Sequence, residues 1–305
     1  MKSKLLLYTA VLLTVAACGT TKKASENHYT KDGDYIVYEC DVEDGTIIGR
    51  AEVQKAEYPG NGKVAVIAHR GFWNCEAGGH AQNSVAALKA AQDAGFWGSE
   101  FDVQLTKDSV VVSNHDKEYG PDKWKIIDHT YDQLKAIPLP NGETLPTLED
   151  YLLQGKQSDK TVLVLEVKPQ KTVDLTLFLV DKTMEIVKEV GLYDPTRICF
   201  ISFSKDACLH LAKKHPAFAV QYLNGNMSSK ALQKHKLNGA DYYQQIYFLE
   251  PGLVNNLHKR GLKANVWTVD NDKKMRRLFD KGIDQLTTND PMKAREILGE
   301  KELRR

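Results

Sequence analysis

The chain has 305 residues, 42% of them hydrophobic and 27% charged, with 41 Lys and Arg against 40 Asp and Glu for a formal net charge of +1. That length accommodates one large α/β domain or two small ones, and the balanced composition argues against a disordered chain or a fibre. Without a basic excess, no nucleic-acid partner is indicated.

Residues 1–17 read as a signal peptide rather than as part of the fold. Lys2 and Lys4 precede an apolar run from Leu5 to Ala17 that is too short to span a bilayer and ends in small residues. The end of the run, Leu13-Thr14-Val15-Ala16-Ala17-Cys18, resembles a bacterial lipoprotein signal. This implies cleavage before Cys18, lipidation of that cysteine, and an exported, membrane-anchored protein of the bacterial cell envelope on its periplasmic or outer-surface side; an ordinary secretory signal is the alternative. Cleavage would lower the basic count from 41 to 39 and leave the 40 acids untouched, for a net charge near −1. Residues 18–33 are polar and aperiodic, as expected of a lipidated tether. Residues 34–60 alternate around Asp44-Gly45 and are predicted to add a β-hairpin before the main domain, residues 61–305.

From Val64 onward the pattern repeats as strand, loop and helix, which predicts parallel βα units. Strands are expected to begin near Val64, Ser99, Thr161, Arg197, Phe218, Ala240, Lys263 and Ile283. Helices are expected over Ser84 to Ala94, Leu148 to Gln154, Val173 to Val190, Lys205 to Lys214, Pro251 to Arg260 and Asn271 to Lys281. Punctuation supports these boundaries: Thr147 and Asp150 have capping-box spacing, Gly191, Gly261 and Gly282 follow helical runs, and Asp290-Pro291 can begin a last helix. Eight strands over about 235 residues fit a TIM (β/α)8 barrel, typically about 250 residues, with an open doubly wound sheet as the alternative. One excursion after strand 2, Lys107 to Pro146, breaks the rhythm and can fold back over the barrel mouth carrying His115. Cys40, Cys75, Cys199 and Cys208 fit no zinc spacing and read as free thiols.

Charged residues interrupt the apolar strands at two-residue spacing. Glu100 with Asp102, and Glu166 with Lys168, fall on common faces near the carboxyl ends of strands 2 and 3, where barrel active sites lie. His69 and Arg70 follow strand 1, and Trp267 ends strand 7. Buried carboxylates need a counter-charge, and three hard oxygen donors favour one divalent cation, Ca²⁺ or Mg²⁺. A structural ion-pair network with Lys168 and Arg70 is the competing reading. A cation, Arg70 and Lys168 together would suit a phosphate group, while His69 and His115 titrate near neutrality and suit proton transfer.

The motifs His69-Arg70-Gly71, Gln82-Asn83-Ser84, Glu100-Phe101-Asp102, His115-Asp116, Glu166-Val167-Lys168, Val266-Trp267-Thr268-Val269 and Thr288-Asn289-Asp290-Pro291 resemble, in order, those of the glycerophosphodiester phosphodiesterase family. The resemblance implies a TIM barrel that hydrolyses glycerophosphodiesters to glycerol 3-phosphate and an alcohol. It assigns His69 and His115 as acid and base, with His115 the expected acid. It further implies Glu100, Asp102 and Glu166 as metal ligands, and Arg70, Lys168, Asn83 and Trp267 as substrate or phosphate contacts. A glutamate usually precedes the asparagine of the second motif; Gln82 here removes a negative charge. Small diesters, lysolipids and glycerol-phosphate polymers all remain candidate substrates, as does a non-catalytic phosphate- or sugar-binding role. No obligate protein partner is evident.

Overall fold

A computed structural model describes residues 64–303, together with two short strands, Lys4–Leu7 and Tyr38–Asp41. These two pair antiparallel with Lys4 opposite Asp41, so part of the expected hairpin region is extended but is paired with an earlier segment. Its turn at Asp44-Gly45, the tether and Cys18 lie outside the described residues.

Eight parallel strands close into a TIM barrel: β1 Ala65–Ala68, β2 Gly98–Leu105, β3 Val162–Val167, β4 Ile198–Ser202, β5 Ala219–Tyr222, β6 Gly239–Tyr243, β7 Lys263–Trp267 and β8 Gln285–Thr288. Neighbours pair in chain order, and closure comes from β8 on β1, with Gln285 opposite Ala65, and β1 on β2, with Ile67 opposite Gly98. Every observed strand begins within two residues of its expected start. The reason is physical: strands buried on both faces, such as Val162–Val167, read as near-continuous apolar runs, here interrupted only by Glu166.

Capping sets the helix entries. Ser84 Oγ accepts from the Ala87 N–H at 3.0 Å and starts the helix Val85–Asp93. Thr147 and Asp150 form the expected capping box before Leu148–Gly155. Gly191, Gly261 and Gly282 adopt left-handed φ after their helices. Two short helices the pattern did not expect, Ser229–Lys234 and Gln244–Leu249, precede and follow β6.

The main core lies between barrel and helices, whereas the barrel interior holds a smaller apolar cluster of Ile67, Val162, Val164, Cys199, Ile201, Ala219 and Leu223. Above and beside this cluster the interior becomes polar: Gln221 Nε2 donates to Gln285 Oε1 at 2.7 Å, and Asn265 Nδ2 to Gln221 Oε1 at 3.3 Å. Cys75, Cys199 and Cys208 are free thiols. Among the described residues no helix is long and apolar enough to cross a membrane.

The excursion after β2 does fold back. Val111–Ser113 pairs antiparallel with the end of β2, Val103 opposite Ser113. A satellite core including Val112, Tyr119, Ile126, Leu134 and Leu145 supports it. Gln104 Nε2 then donates to the backbone oxygens of His115 and Asp116 at 2.9 and 2.8 Å, which ties the histidine-bearing loop to β2.

Candidate active site

The turn after β1 is built from two left-handed residues, Arg70 at φ 58° and Gly71 at φ 79°. It tethers itself to β2: the Arg70 N–H donates to Glu100 Oε2 at 2.8 Å and the Gly71 N–H to the Glu100 carbonyl at 2.9 Å. His69 is thereby held with Nε2 3.9 Å from Glu100 Oε2. Gly71 is required as well as permitted, because a Cβ there would lie 2.6 Å from Ala87 Cβ.

Glu100, Asp102 and Glu166 are all buried, and one carboxylate oxygen from each lies within 4.8 Å of the others. Parallel register explains the meeting, since Asp102 of β2 stands opposite Glu166 of β3. Lys168 Nζ sits 2.8 Å from Glu166 Oε1 and 3.2 Å from Asp102 Oδ1, yet among the described residues neither oxygen has an aligned hydrogen bond. Burial, then repulsion from Asp102 and Glu166, pushes Glu100 well above the usual carboxylate range. Burial and Asp102 likewise raise Glu166 against the pull of Lys168. Burial also opposes ionisation of Asp102, but Lys168, His115, Asn83 and Arg70 outweigh it and hold that carboxyl low. Three crowded carboxylates meet one close lysine, with Arg70 Nε 3.9 Å from Asp102 Oδ2, and leave oxygen donors with room for another cationic partner. That donor set fits a hard divalent cation.

Asn83, expected as a substrate contact, is hydrogen-bonded to Asp102. At φ 58° and 2% exposed, it donates Nδ2 to Asp102 Oδ2 at 2.9 Å and accepts from the Asp102 N–H on Oδ1 at 3.1 Å. Both polar ends are engaged behind a carboxylate, and Ser84 rather than Asn83 caps the following helix. Gln82 accepts from Arg70 Nη1 at 2.6 Å, so the residue that departs from the family motif holds the guanidinium through a neutral bond.

The two histidines differ. His69 Nδ1 is 2.9 Å from Asn289 Oδ1, whose amide orientation is set by partners of fixed polarity: the Trp73 indole N–H donates to Oδ1 at 3.2 Å, and Nδ2 donates to Asp270 Oδ2 at 2.8 Å. His69 Nδ1 must therefore carry the proton, which leaves Nε2 with its lone pair. Burial, reinforced by Arg70, lowers the His69 pKa to about 4. His115 is half-exposed and places Nδ1 2.6 Å from Asp116 Oδ1. Burial lowers its pKa too, with Asp102 and Asp116 opposing.

His69, Arg70, Glu100, Glu166, His115 and Trp267 share one cavity of about 250 Å³ at the carboxyl ends of the strands. Trp267 donates Nε1 to the Asp241 carbonyl at 2.9 Å and packs edge-on against Phe203 at 5.4 Å. Beside it, a wider cleft of about 670 Å³ is lined by Trp73, Gln82, Asn114, Lys117 and Lys123.

The family model for the glycerophosphoryl diester phosphodiesterase family matches residues 69–293. The chain belongs to this family. Its fold and its assignment as a phosphoric diester hydrolase of this class agree with similar proteins. One is the glycerophosphodiester phosphodiesterase of Caldanaerobacter subterraneus, 30% identical over 245 residues that cover 75% of this chain and 95% of that protein. The solved structure of a glycerophosphodiester phosphodiesterase from Parabacteroides distasonis is 38% identical with TM-score 0.75, covering 78% of this chain and 98% of that one. A phosphodiesterase from Oleispira antarctica, solved with its product sn-glycerol-3-phosphate, shares the fold at 24% identity and TM-score 0.64 over 77% of this chain and 96% of that one.

Sequence reading brought together the histidines, the acids, Arg70, Lys168 and Trp267. It missed Asp270 and the use of Asn289, although Asn289 lies in a recognised motif and Asp270 three residues beyond Trp267. It also missed Asp241, a single acid on an apolar strand.

Proposed function

We propose that this protein is a metal-dependent phosphodiesterase that hydrolyses glycerophosphodiesters to glycerol 3-phosphate and an alcohol by paired histidine catalysis. The observation that carries this reading is that Arg70, two histidines, Glu100 and Glu166 line one cavity, with Asp102 and Lys168 packed against those carboxylates. Glu100, Asp102 and Glu166 would hold a divalent cation, Ca²⁺ or Mg²⁺, which when bound supplies positive charge to the phosphate oxygens. The side chains of Arg70 and Lys168 bring two further cationic groups, which favour the charge that builds on non-bridging oxygens during attack at phosphorus.

His69 is the base in this scheme. Neutral at pH 7, with its tautomer set by Asn289, it offers Nε2 to a proton of the attacking water, whose oxygen bonds to phosphorus as the alcohol departs. His115 is the acid. Its pKa is lowered by burial, and Asp102 and the Asp116 carboxylate on Nδ1 offset part of that loss of the protonated form; its place at the edge of the wider cleft suits protonation of a departing alcohol. The sn-glycerol-3-phosphate bound by the Oleispira antarctica protein supports the same product here. The reading also places the enzyme on the envelope through lipid on Cys18; fatty-acid labelling that persists in Cys18→Ser would overturn that part.

The deciding assay is glycerol phosphate release from glycerophosphocholine by the fragment lacking residues 1–18, with Ca²⁺, Mg²⁺ or a chelator. Release abolished by chelator and restored by either cation is expected. Release that survives exhaustive chelation refutes the metal requirement, and no release from folded protein with any cation refutes the substrate class.

A further inference from the structure

Asp241 is a carboxyl that none of the chemistry above uses. It lies on β6, diametrically across the closed barrel from β2 with Glu100 and Asp102, and it lines the same cavity as Glu100. It is 1% exposed, and among the described residues its Oδ1 has no hydrogen-bond partner. An unpartnered buried polar atom costs about 1–3 kcal/mol, so a protein that retains one on a cavity wall has a use for it there. Ile201, Leu223 and Trp267 line that cavity with it, Asn265 stands opposite it on β7, and the carboxylate trio does not include it. The indole of Trp267 fixes the Asp241 carbonyl and hence the end of β6.

We propose that Asp241 is a specificity-determining residue that hydrogen-bonds a hydroxyl on the glyceryl end of the substrate. This rests on the diesterase reading and deepens it. The chemistry selects the ligand. Burial, with a smaller contribution from Glu166, disfavours the Asp241 carboxylate, and a protonated carboxyl presents a donor and an acceptor side by side. A hydroxyl group needs that pair. A phosphate offers only acceptors, and the cationic groups that suit it lie on the β1 and β3 side. The dimensions select the end of the molecule: the smaller 250 Å³ cavity suits the small constant glyceryl group, and the 670 Å³ cleft suits the variable alcohol.

The test compares kcat/KM for glycerophosphocholine and propylphosphocholine, which differ only in the two hydroxyls, in wild type, Asp241→Asn and Asp241→Leu. Wild type is expected to favour the glyceryl diester about 10- to 100-fold, the loss that follows from leaving a buried polar group unpaired. Asp241→Asn, which keeps a donor and an acceptor, should retain most of that ratio, and Asp241→Leu should bring it close to one. A wild-type ratio near one, or a full ratio in a folded Asp241→Leu, overturns the proposal. A second measurement needs neither a variant nor turnover: calorimetric titration of wild type with sn-glycerol 3-phosphate and propyl phosphate in Ca²⁺. Tighter binding of the glyceryl ester supports the hydroxyl contact, and equal binding overturns it. If wild type cleaves neither diester, the proposed activity fails while this titration still decides the role of Asp241.

Discussion

Replacing Asn289 with leucine removes the acceptor that fixes the His69 tautomer while conserving approximate volume. Three bonds go at once: the 2.9 Å contact to His69 Nδ1, the 3.2 Å contact from the Trp73 indole, and the 2.8 Å donation to Asp270. Each such bond is worth about 1 kcal/mol net. Only the first acts on the chemistry, by allowing the proton to move to Nε2 and the ring to turn. General acid–base catalysis contributes about 10²–10⁴-fold, and loss of an orienting partner typically forfeits part of it, so kcat should fall about 10- to 100-fold with little change in KM. Asn289→Asp alone should do no better, because it sets two carboxylates where Nδ2 now meets Asp270 Oδ2. The exchange Asp270→Asn with Asn289→Asp restores an amide–carboxylate pair and should recover most of kcat. Steady-state kinetics of the three variants, with ¹⁵N spectra of the His69 ring to read the tautomer, decide the matter. An Asn289→Leu enzyme with more than half the wild-type kcat, or one whose tautomer is unchanged, refutes the reasoning.

Gly71→Ala meets both a left-handed backbone and a Cβ approach of 2.6 Å to Ala87, so a loss of about 2–4 kcal/mol is expected, or roughly 5–15 °C in Tm; a Tm within two degrees of wild type, on the order of experimental scatter, contradicts the contact. Asn83→Ala frees Asp102 from two hydrogen bonds and should weaken Ca²⁺ or Mg²⁺ binding about 10-fold or more in calorimetric titrations, and unchanged affinity would make Asn83 a spectator. His215, paired with Tyr193 Oη at 2.7 Å, has its pKa lowered to about 4 by burial, then by Lys188. A depressed folded-state value means its contribution is intact above pH 6.5 and is lost as pH falls toward 4, at up to about 1.4 kcal/mol per pH unit. His215→Gln should therefore flatten acid denaturation across that window, and parallel acid-melting curves would contradict the assignment.

Much of the fold was legible because barrel strands such as Val162–Val167 and Ile198–Ser202 are dominated by apolar residues, against which a charge stands out. Glu100, Asp102, Glu166 and Lys168 were conspicuous for that reason. The helices around β6 were not, since six-residue helices offer less than two turns of periodicity. Asn83 illustrates a different limit: its motif was recognised, but whether the amide faces substrate or grips Asp102 depends on a left-handed backbone that the one-letter pattern does not display. Gln82 could be flagged as a missing charge, while its bond to Arg70 needed coordinates. The Asp270, Asn289 and His69 chain could not be read locally, because its members sit at opposite ends of the sequence.

That separation has a temporal meaning for the cell. His69 and Asn289 are 220 residues apart and meet only when β8 seals against β1. During synthesis, the base, Arg70 and all three acids leave the ribosome long before the segment that orients the base. A chain stopped short of Gln285 has the reactive groups and lacks the clasp. On the proposed mechanism, full competence to cut a diester therefore waits for the closing strand β8.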